Sequence, residues 1–522
     1  MGSEHVRLSN VSKTFQTGTP PQPLHALGPI DLELSRGEFF AVVGPSGCGK
    51  STLLDVIAGL TPATEGAVLF EGRPIAGEAP DGMGVVFQED ASFAWLTVAE
   101  NVAFGLRRSN LDRDERAARV HNVLNLVGLS DFATSYPAQL SGGMRQRVCI
   151  ARTLVMEPRL ILLDEPFGAL DQQTRLLMGD ELLRMWRQTG ATVFLITHAL
   201  DEATMLADRI GVMSARPGQL TDVVETRWPR DRDSPHHRAQ RVRRDHRAVV
   251  EDAARGIAQD DRTVTRVRRP VTMNRVNAFR LLVVLAAIAV LEALCLAGLI
   301  DKITMQPPHL IARDLYRLLV SGRMNGAIAK TLTNTVLALL LALGVGVIAG
   351  ALLHRRRALR DTLDPLFATY YAVPVFAFYP FFIVVFGLGD IPQILIAFLL
   401  GVVAMIVNTL NGLDRVPSVL LKTARVLKLS PIDTAFRVTL PSAGPYLLTG
   451  VKLAVAYAFI GVIGSEFILS RGGIGYEISF AYTSFDNATM YPLIVLILLA
   501  SIVINGVLSR WERRLLGRRG LQ

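Results

Sequence analysis

Residues 44 to 52 constrain the fold of this chain more than any other stretch. They carry the sequence Gly-Pro-Ser-Gly-Cys-Gly-Lys-Ser-Thr, between an apolar run that ends at Val43 and one that begins at Leu53. A glycine-rich loop between a strand and a helix points its backbone N–H groups at an anion, and the helix dipole adds to the attraction. This context predicts a phosphate site in an α/β domain, rather than a turn that happens to precede a lysine.

The residues of this loop have separate predicted roles. The Lys50 ammonium can reach the β- and γ-phosphates of a nucleotide, and the Ser51 hydroxyl can ligate Mg²⁺. The remaining members are predicted to line the phosphates: Gly44, Ser46, Gly47, Cys48, Gly49 and Thr52.

Polar residues also end three further apolar runs that are predicted to be strands. Gln88 ends the first, Asp164 and Glu165 end the second, and His198 follows the third. Ligands of α/β sheets bind at the carboxyl ends of the strands. Asp164 is therefore predicted to hold Mg²⁺ and Glu165 to polarise a water for in-line attack on the γ-phosphate. His198 is predicted to hydrogen-bond that phosphate.

Two other features bear on a nucleotide. Ser141, Gly142 and Gly143 open a predicted helix that continues through Gln146, which makes a second helix end able to bind an anion. Phe15 follows a predicted strand and is expected in a loop. From the residues alone it can either stack on a purine ring or lie at the edge of the core.

Six motifs, in this order, resemble the nucleotide-binding domain of ATP-binding cassette (ABC) transporters over roughly residues 4 to 225. They are the phosphate loop, Gln88, the signature that starts at Leu140, Asp164-Glu165, Asp171 and His198. The resemblance implies that the nucleotide is ATP, that Phe15 stacks on adenine and that the signature residues also bind ATP. It implies catalytic roles for Glu165, His198, Gln88 and Asp171, and Mg²⁺ binding by Ser51, Gln88 and Asp164.

The resemblance also implies a dimer. In this family ATP lies between the phosphate loop of one domain and the signature of another, and this chain carries one of each. A homodimer with two ATP sites is the expected assembly. The residues that follow Gln88 are similar to those of the nitrate, sulfonate and taurine importer ATPases.

Charge and cysteine content narrow the remaining possibilities. The net charge of +9 reflects an arginine-rich stretch over residues 227–275 and basic membrane flanks. That stretch lacks interleaved aromatic residues, so contact with an anionic membrane surface is favoured over nucleic acid. A short helix is predicted over residues 248–257. The three cysteines are far apart and show no metal-ligand spacing.

The second half of the chain is predicted to span a membrane. Half of all residues are hydrophobic, which is too many for an ordinary soluble protein. Arginine and lysine cluster in alternate connections and in the tail, which predicts cytoplasmic termini. Residues 301–326 are predicted to include an interfacial amphipathic helix. Six runs have spanning length: 279–300, 327–353, 363–388, 391–411, 445–469 and 491–508.

Residues 422–441 resemble the cytoplasmic loop of ABC importer permeases, in which a short helix docks on the ATPase. Counting back from Pro441, Ala424 matches the family, but Lys422 replaces the usual acid and Lys428 the usual glycine. This departure leaves two alternatives: weaker docking, or a groove that has changed to suit. Residues 450–466 and 472–476 also look like the sulfonate and taurine permeases.

The predicted organisation is therefore a multidomain chain. A P-loop ATPase domain occupies residues 1–255, a basic linker 256–278, and an all-α permease of type I importer fold 279–522, with a coupling loop near 415–441. Four polar residues in or near the spans are candidates for the solute pathway: Asn334, Asn408, Lys452 and Glu466. For the two asparagines, a helix–helix hydrogen bond is an equal alternative.

The predicted function is ATP-driven import by a homodimer in the bacterial cytoplasmic (inner) membrane. The resemblance implies a small sulfonate-, taurine- or nitrate-like anion, delivered by an extracytoplasmic binding protein. No nucleic-acid partner is expected, because the basic stretch lacks interleaved aromatic residues and half of the chain is predicted to lie in a membrane. A vitamin or a pyrimidine or flavin precursor is the alternative solute, and an ABC exporter is the less favoured alternative function.

Overall fold

The computed structural model describes residues 4–18, 20–75, 77–168, 172–226, 273–301, 304–370 and 372–517. These residues form two compact units. The first holds the described residues up to Thr226, the segment Val416–Ser442 and the end of the last helix; the second holds the remaining described residues to Arg513. Residues 256–272 of the predicted linker, the helix predicted over 248–257 and Asp171 lie outside the described residues, whereas residues 273–278, which are predicted to belong to the linker, are helical.

The first unit contains two sheets. The six-stranded sheet has the order β10-β9-β3-β8-β7-β6, parallel except for β10, and the four-stranded antiparallel sheet has the order β2-β1-β4-β5. The strands are β1 Glu4–Thr17, β2 Gln22–Ser35, β3 Phe39–Val43, β4 Glu65–Phe70, β5 Arg73–Pro74, β6 Met83–Val86, β7 Leu160–Asp164, β8 Thr192–Ile196, β9 Arg209–Met213 and β10 Leu220–Glu225.

The central strands of the parallel sheet are buried along their whole length. Every residue of β3, β7 and β8 is buried, which is the pattern of a parallel sheet covered on both faces. The register aligns Val42 with Ile196 and Ile196 with Asp164. The carboxyl ends of these strands therefore share one edge, and the predicted polar residues meet there.

Among the described residues, six α-helices accompany the sheets in the ATPase part of this unit. The sequence provides clear start signals: Thr97 and Glu100 form a capping box at α2, and Ser141 caps α4. The helices are α1 Lys50–Ile57, α2 Val98–Phe104, α3 Arg113–Leu126, α4 Gly142–Leu154, α5 Gln172–Thr189 and α6 Leu200–Leu206.

The remaining helices follow from residue 273. They are α7 Met273–Leu296, α8 Pro308–Val320, α9 Asn325–Arg355, α10 Arg357–Tyr370, α11 Tyr379–Phe386, α12 Asp390–Asp414, α13 Ser418–Val426, α14 Pro431–Thr434, α15 Leu440–Leu469, α16 Ile474–Thr483 and α17 Asn487–Gly517. The predicted amphipathic helix is present as α8, with Ile311 and Leu315 buried.

Among the described residues, five helices are long and apolar enough to cross a membrane. The third predicted run of spanning length, 363–388, does not form one continuous helix. It is divided between α10 and a second helical stretch, Val375–Phe386, and the two are bent by 97°. Pro374 lies at the break, where its ring disfavours helical geometry at the preceding residue and removes a backbone donor. The count is six if this bent pair is one span.

The second unit packs through small residues. A Cβ atom at Gly346 would lie 2.5 Å from Met405 Cβ, and one at Gly350 would lie 2.7 Å from Thr409 Cβ, so α9 and α12 approach closely there. Large side chains such as Leu340 and Val384 are exposed instead. Close backbone approach at small residues is how helices associate in lipid, which solvates large apolar side chains.

The segment Val416–Ser442, called the docked segment below, belongs to the first unit. It contains α13, α14 and a π-helical turn, Ala435–Thr439. Its apolar side chains join the ATPase core: Val419, Leu420, Ala424, Val426, Leu427 and Val438.

Candidate nucleotide site

A cavity of about 440 Å³ opens at the carboxyl edge of the parallel sheet. It gathers most of the residues that the sequence analysis selected for the phosphates and the catalytic step, and one that it missed, Arg216. The lining residues are Ser46, Gly47, Gly49, Lys50, Ser51, Thr52, Gln88, Glu165, His198 and Arg216.

The phosphate loop has the conformation that its glycines permit. Gly47 and Gly49 have φ angles of +76° and +109°. A Cβ at Gly49 would lie 2.7 Å from the Ala26 carbonyl oxygen, so a larger residue would not fit. The Lys50 ammonium donates to the carbonyl oxygens of Gly44 (2.8 Å) and Pro45 (3.0 Å), and thus lies over the loop. Cys48 is buried beneath, with its sulfur 3.9 Å from that ammonium.

Two of the predicted Mg²⁺ ligands contact each other. The Ser51 hydroxyl donates to Asp164 Oδ1 over 3.2 Å. Burial raises the pKa of Asp164 to about 6, although the Ser51 hydrogen bond opposes this. A hydroxyl and a carboxylate side by side are hard oxygen donors of the kind Mg²⁺ prefers. This pair therefore fits the ion, whose charge would also favour the ionised carboxylate.

Three predicted catalytic residues form a second cluster beside this pair. Glu165 Oε2 accepts a hydrogen bond from Gln88 Nε2 (3.0 Å) and lies 3.1 Å from His198 Nδ1. The Glu165 side chain is 17% exposed and the His198 side chain 51% exposed, so water can reach the cluster. Glu165 also has a φ of +43°, which is rare outside glycine and is typical of functional sites.

The signature residues lie elsewhere. Within the part of the chain that the structure describes, Ser141, Gly142, Gly143 and Gln146 do not line the cavity. Ser141 and Gly142 are exposed, and Ser141 Oγ accepts a hydrogen bond from the Met144 backbone N–H of its own helix. Gln146 is buried and donates to the Phe87 carbonyl over 3.3 Å.

The prediction that Phe15 lies in a loop is wrong. Strand β1 continues to Thr17, and Phe15 pairs with Leu24 of β2, because the two long strands form one extended hairpin. The ring is 36% exposed and the Lys13 ammonium lies 5.1 Å from its centroid. Among the described residues, Phe15 is not part of the cavity lining, and its stacking role stays a prediction.

Arg216 is the cavity residue that sequence reasoning missed. Its guanidinium donates to the Gly47 carbonyl from Nε (3.2 Å) and Nη2 (2.9 Å). It follows β9, which pairs in parallel with β3, so its loop emerges beside the phosphate loop. A basic residue after an apolar strand was the available signal, but which strands are neighbours could not be read from the sequence.

Comparison with known proteins agrees with this geometry. Residues 27–168 match the family described as ABC transporter, and residues 342–519 match the one described as binding-protein-dependent transport system inner membrane component. The uncharacterized ABC transporter ATP-binding protein MJ0412 of Methanocaldococcus jannaschii is 46% identical over 44% of this chain and 85% of its own length. The chain belongs to the ABC transporter family.

Two further relatives carry more specific names. The taurine import ATP-binding protein TauB of Pelagibacter ubique is 47% identical over 40% of this chain and 79% of its own length. The bicarbonate transport ATP-binding protein CmpC of Synechococcus elongatus is 46% identical over 44% of this chain and 36% of its own length. The predicted fusion of an importer-type ATPase with a permease is confirmed, and the ABC transporter is an ATP-hydrolysing, multi-pass membrane protein.

The docked segment of this ABC transporter resolves the question raised by its two unusual lysines. Lys422 Nζ lies 2.7 Å from Asp55 Oδ2, and Lys428 Nζ lies 2.5 Å from Asp81 Oδ1. The groove thus presents an acid to each lysine. Lys428 has a φ of +51°, the left-handed conformation for which glycine is the usual residue. The hydrogen bond and charge of Lys428 lower the pKa of Asp81.

The polar residues of the transporter's membrane unit have internal partners. Thr331 Oγ1 lies 2.9 and 2.8 Å from the two carboxylate oxygens of buried Glu466. Asn334 donates to Gln393 over 2.8 Å, which agrees with a role in helix–helix contact. Asn408 donates to the Ala404 carbonyl of its own helix, and Lys452 lies 2.5 Å from Glu512.

Proposed function

We propose that this ABC transporter is a homodimeric importer of a small anion. The observation that carries the dimer is the separation of its two half-sites. The phosphate loop, Glu165 and His198 line one cavity, whereas Ser141 and Gly142 are exposed apart from it. A second copy would bring its signature to the phosphates, and each copy would complete the site of the other.

We assign the following roles to the residues of the cavity. Backbone N–H groups of the loop and the Lys50 ammonium bind the β- and γ-phosphates of ATP. Glu165 accepts the proton of the water that attacks the γ-phosphate, while Gln88 and His198 hold its carboxylate in place. Ser51 and Asp164, with Gln88 nearby, would hold Mg²⁺, which supplies neutralising charge to the phosphates. Asp171 remains a proposed participant.

The names of two relatives support the solute class. One acts in taurine import and another in bicarbonate transport, and both solutes carry an oxyanion group. We therefore propose a sulfonate-, taurine- or nitrate-like anion, delivered by an extracytoplasmic binding protein. The pattern of basic residues supports cytoplasmic termini in a bacterial inner membrane.

The test uses the Glu165→Gln protein, held in its ATP-bound form in nanodiscs, to capture a binding protein from the exported proteins of the host. The ligand of the captured protein is then released and weighed by mass spectrometry. We expect a binding protein that carries a sulfonate or another small anion. The matched control is Lys50→Ala, which should bind ATP poorly and capture much less.

The other outcomes are equally informative. A captured protein loaded with a vitamin or a pyrimidine or flavin precursor would retain import and replace the solute class. If nothing is captured and solute alone stimulates ATP hydrolysis in the wild type, import is wrong and export becomes the better interpretation.

A further inference from the structure

The loop that joins β9 to β10, residues 214–219, packs against the phosphate loop. Gly218 of this loop is buried; its N–H donates to the Ala26 carbonyl of β2 over 3.1 Å, and its carbonyl accepts from the Gly28 N–H over 3.0 Å. A Cβ at Gly218 would overlap the Cys48 carbonyl oxygen, so the two loops meet backbone against backbone. The β9–β10 loop therefore has a fixed place beside the phosphate loop.

Arg216 extends from this fixed loop to the phosphate loop. Its guanidinium donates two hydrogen bonds to a single acceptor, the Gly47 carbonyl oxygen, from Nε over 3.2 Å and from Nη2 over 2.9 Å. Hydrogen bonds from an ionised donor are stronger than those between neutral groups. Arg216 also lines the nucleotide cavity, so this contact is made at the edge of the proposed phosphate site.

The Gly47 carbonyl and the Cys48 N–H belong to one peptide group. Because this group is planar and trans, its oxygen and its N–H point in opposite directions. Arg216 holds the oxygen, and on the opposite side the Cys48 nitrogen lies 3.4 Å from the Pro45 carbonyl oxygen. The Lys50 ammonium donates to that same Pro45 oxygen over 3.0 Å. The bonds from Arg216 thus fix a peptide whose N–H lies on the same side as the Lys50 ammonium.

The phosphate loop benefits from such a restraint because its own sequence allows many backbone conformations. Gly47 and Gly49 both have positive φ angles, and glycine populates negative φ angles about as readily. Rotation at Gly47 would break both bonds to Arg216 and turn the Cys48 N–H away. A loop that is ordered before its ligand arrives binds more tightly, because less conformational entropy is lost on binding.

We propose that Arg216 is a positioning residue for nucleotide binding, which orders the phosphate loop by holding the Gly47–Cys48 peptide. It acts through its hydrogen bonds rather than through its charge. The ligands affected are nucleoside diphosphates and triphosphates alike, because both carry the β-phosphate that backbone N–H groups of such a loop bind. The inference rests on the proposed binding of ATP by this loop, but not on the solute or on the direction of transport.

The experiment compares two substitutions of Arg216 in the full chain, held in nanodiscs with Mg²⁺. Arg216→Met removes the charge and both donors. Arg216→Gln removes the charge but places an amide nitrogen where Nε lies, so it keeps one hydrogen bond to Gly47. Calorimetric titration with ADP gives a Kd, and phosphate release gives kcat and KM for ATP. The matched control is Arg73→Met, since Arg73 is exposed and lies outside the cavity lining.

We expect Arg216→Met to raise the Kd for ADP and the KM for ATP equally, by about tenfold, because charge-assisted hydrogen bonds are lost. The kcat at saturating ATP should stay within about twofold of the wild type, as for a residue that affects only binding. Arg216→Gln should recover most of the loss and bind ADP within about threefold of the wild type. Arg73→Met should leave all three constants unchanged.

Amide hydrogen exchange gives a second measurement that is specific to positioning. Without nucleotide, Arg216→Met should exchange faster in peptides that cover residues 44–52, and at the wild-type rate in the other strands and helices of the ATPase part. If Arg216→Met does not fold, Arg216→Gln carries the same test, with a smaller rise in Kd and in the exchange rate of the loop.

Several results would overturn the proposal. Equal losses in Arg216→Met and Arg216→Gln would assign the effect to charge, and a loss for ATP without one for ADP would assign it to the γ-phosphate. Wild-type affinity for ADP in Arg216→Met, or unchanged exchange in the loop, would remove the positioning role. Lys50→Ala separates this inference from the proposed phosphate site. If Lys50→Ala loses ADP binding and Arg216→Met keeps it, only the role of Arg216 is wrong; if Lys50→Ala binds ADP like the wild type, the phosphate site is wrong as well.

Discussion

Two glutamates, one in each unit, lie in polar clusters of opposite character. Glu165 lies beside a cavity that water reaches, and both of its side-chain contacts, with Gln88 and His198, are made by one oxygen, Oε2. Glu466 is fully buried. Thr331 contacts both of its oxygens, and the Gly475 backbone N–H donates to Oε2 over 3.0 Å.

We attribute this difference to a chemical role for Glu165 and a structural role for Glu466. An accessible carboxylate held from one side is arranged to accept a proton, and its charge is what matters. A buried carboxylate whose oxygens are occupied serves as an acceptor that fixes its neighbours, since an unpartnered buried N–H is costly. Glu466 does this for the start of α16, because Thr331 in turn accepts from the Ile474 backbone N–H over 2.9 Å. The predictions below test this contrast, from the largest effect to the smallest.

Glu165→Gln should give the largest effect, on activity alone. Removing the proposed base should lower kcat for ATP hydrolysis by about 100- to 1,000-fold, while the midpoint of thermal unfolding hardly changes. The measurement is phosphate release beside a melting curve. Glu157→Gln is the control, because that side chain is 68% exposed and pairs with Arg119. Retention of the wild-type rate by Glu165→Gln would remove Glu165 as the base.

Gly473→Ala should give the largest effect on stability. A Cβ at Gly473 would lie 2.2 Å from the Glu466 carboxyl carbon, and the φ of +105° disfavours any side chain. Strain and displaced hydrogen bonds together should cost about 3 kcal/mol, measured by unfolding in detergent. Gly344→Ala, where a Cβ meets nothing within 4 Å, should be neutral or stabilising. Equal effects at the two glycines would contradict the close packing around Glu466.

Glu466→Leu should destabilise the transporter by about 2 kcal/mol, because it leaves the Gly475 N–H and the Thr331 hydroxyl without an acceptor. Glu466→Gln keeps an acceptor oxygen and should cost less than about 1 kcal/mol. Unfolding in detergent measures both. A large loss with glutamine would show that the charge of Glu466 matters, and the contrast with Glu165 would then fail.

Lys428→Gly should have the smallest effect. Loss of the ion pair with the exposed Asp81 destabilises the folded protein by at most about 1 kcal/mol. Glycine adopts the left-handed conformation of residue 428 without steric strain, and this stabilises the variant by about the same amount. Thermal unfolding of the wild type and the variant should therefore nearly coincide at pH 7.

The difference in stability between the wild type and Lys428→Gly should depend on pH in a definite direction. Lys428 lowers the pKa of Asp81 in the folded protein, so the pair stabilises above the ordinary aspartate pKa of about 4. The stability contributed by this ion pair is lost as the pH falls below about 4 and through the lowered pKa of Asp81. The two melting curves should thus diverge only in acid, in favour of the variant, and a divergence confined to pH 6–8 would implicate another group.

The sequence alone predicted the ATPase half in detail, because its signals are local. The phosphate loop needs only a strand, glycines and a helix in succession, and the structure has β3, Gly47 and Gly49 with positive φ, and α1 in that order. Asp164 and Glu165 follow directly from the end of a buried run. Basic clusters and apolar lengths likewise located the membrane half. The loop predicted at Phe15 was wrong, since β1 continues to Thr17, and the break at Pro374 within the third predicted run was not foreseen.

The pairings across the fold required the tertiary structure. The partners of Lys422 and Lys428 could not be predicted from the sequence, because Asp55 and Asp81 are more than three hundred residues away in the chain and belong to no motif that marks them. Arg216 joins the cavity only because β9 lies beside β3. The sequence by itself determined which groups can bind phosphate and which runs can enter a membrane, because backbone geometry and hydropathy are local properties. Strand order and packing decided which charges meet, because an ion pair depends on distance in space, which the chain order does not specify.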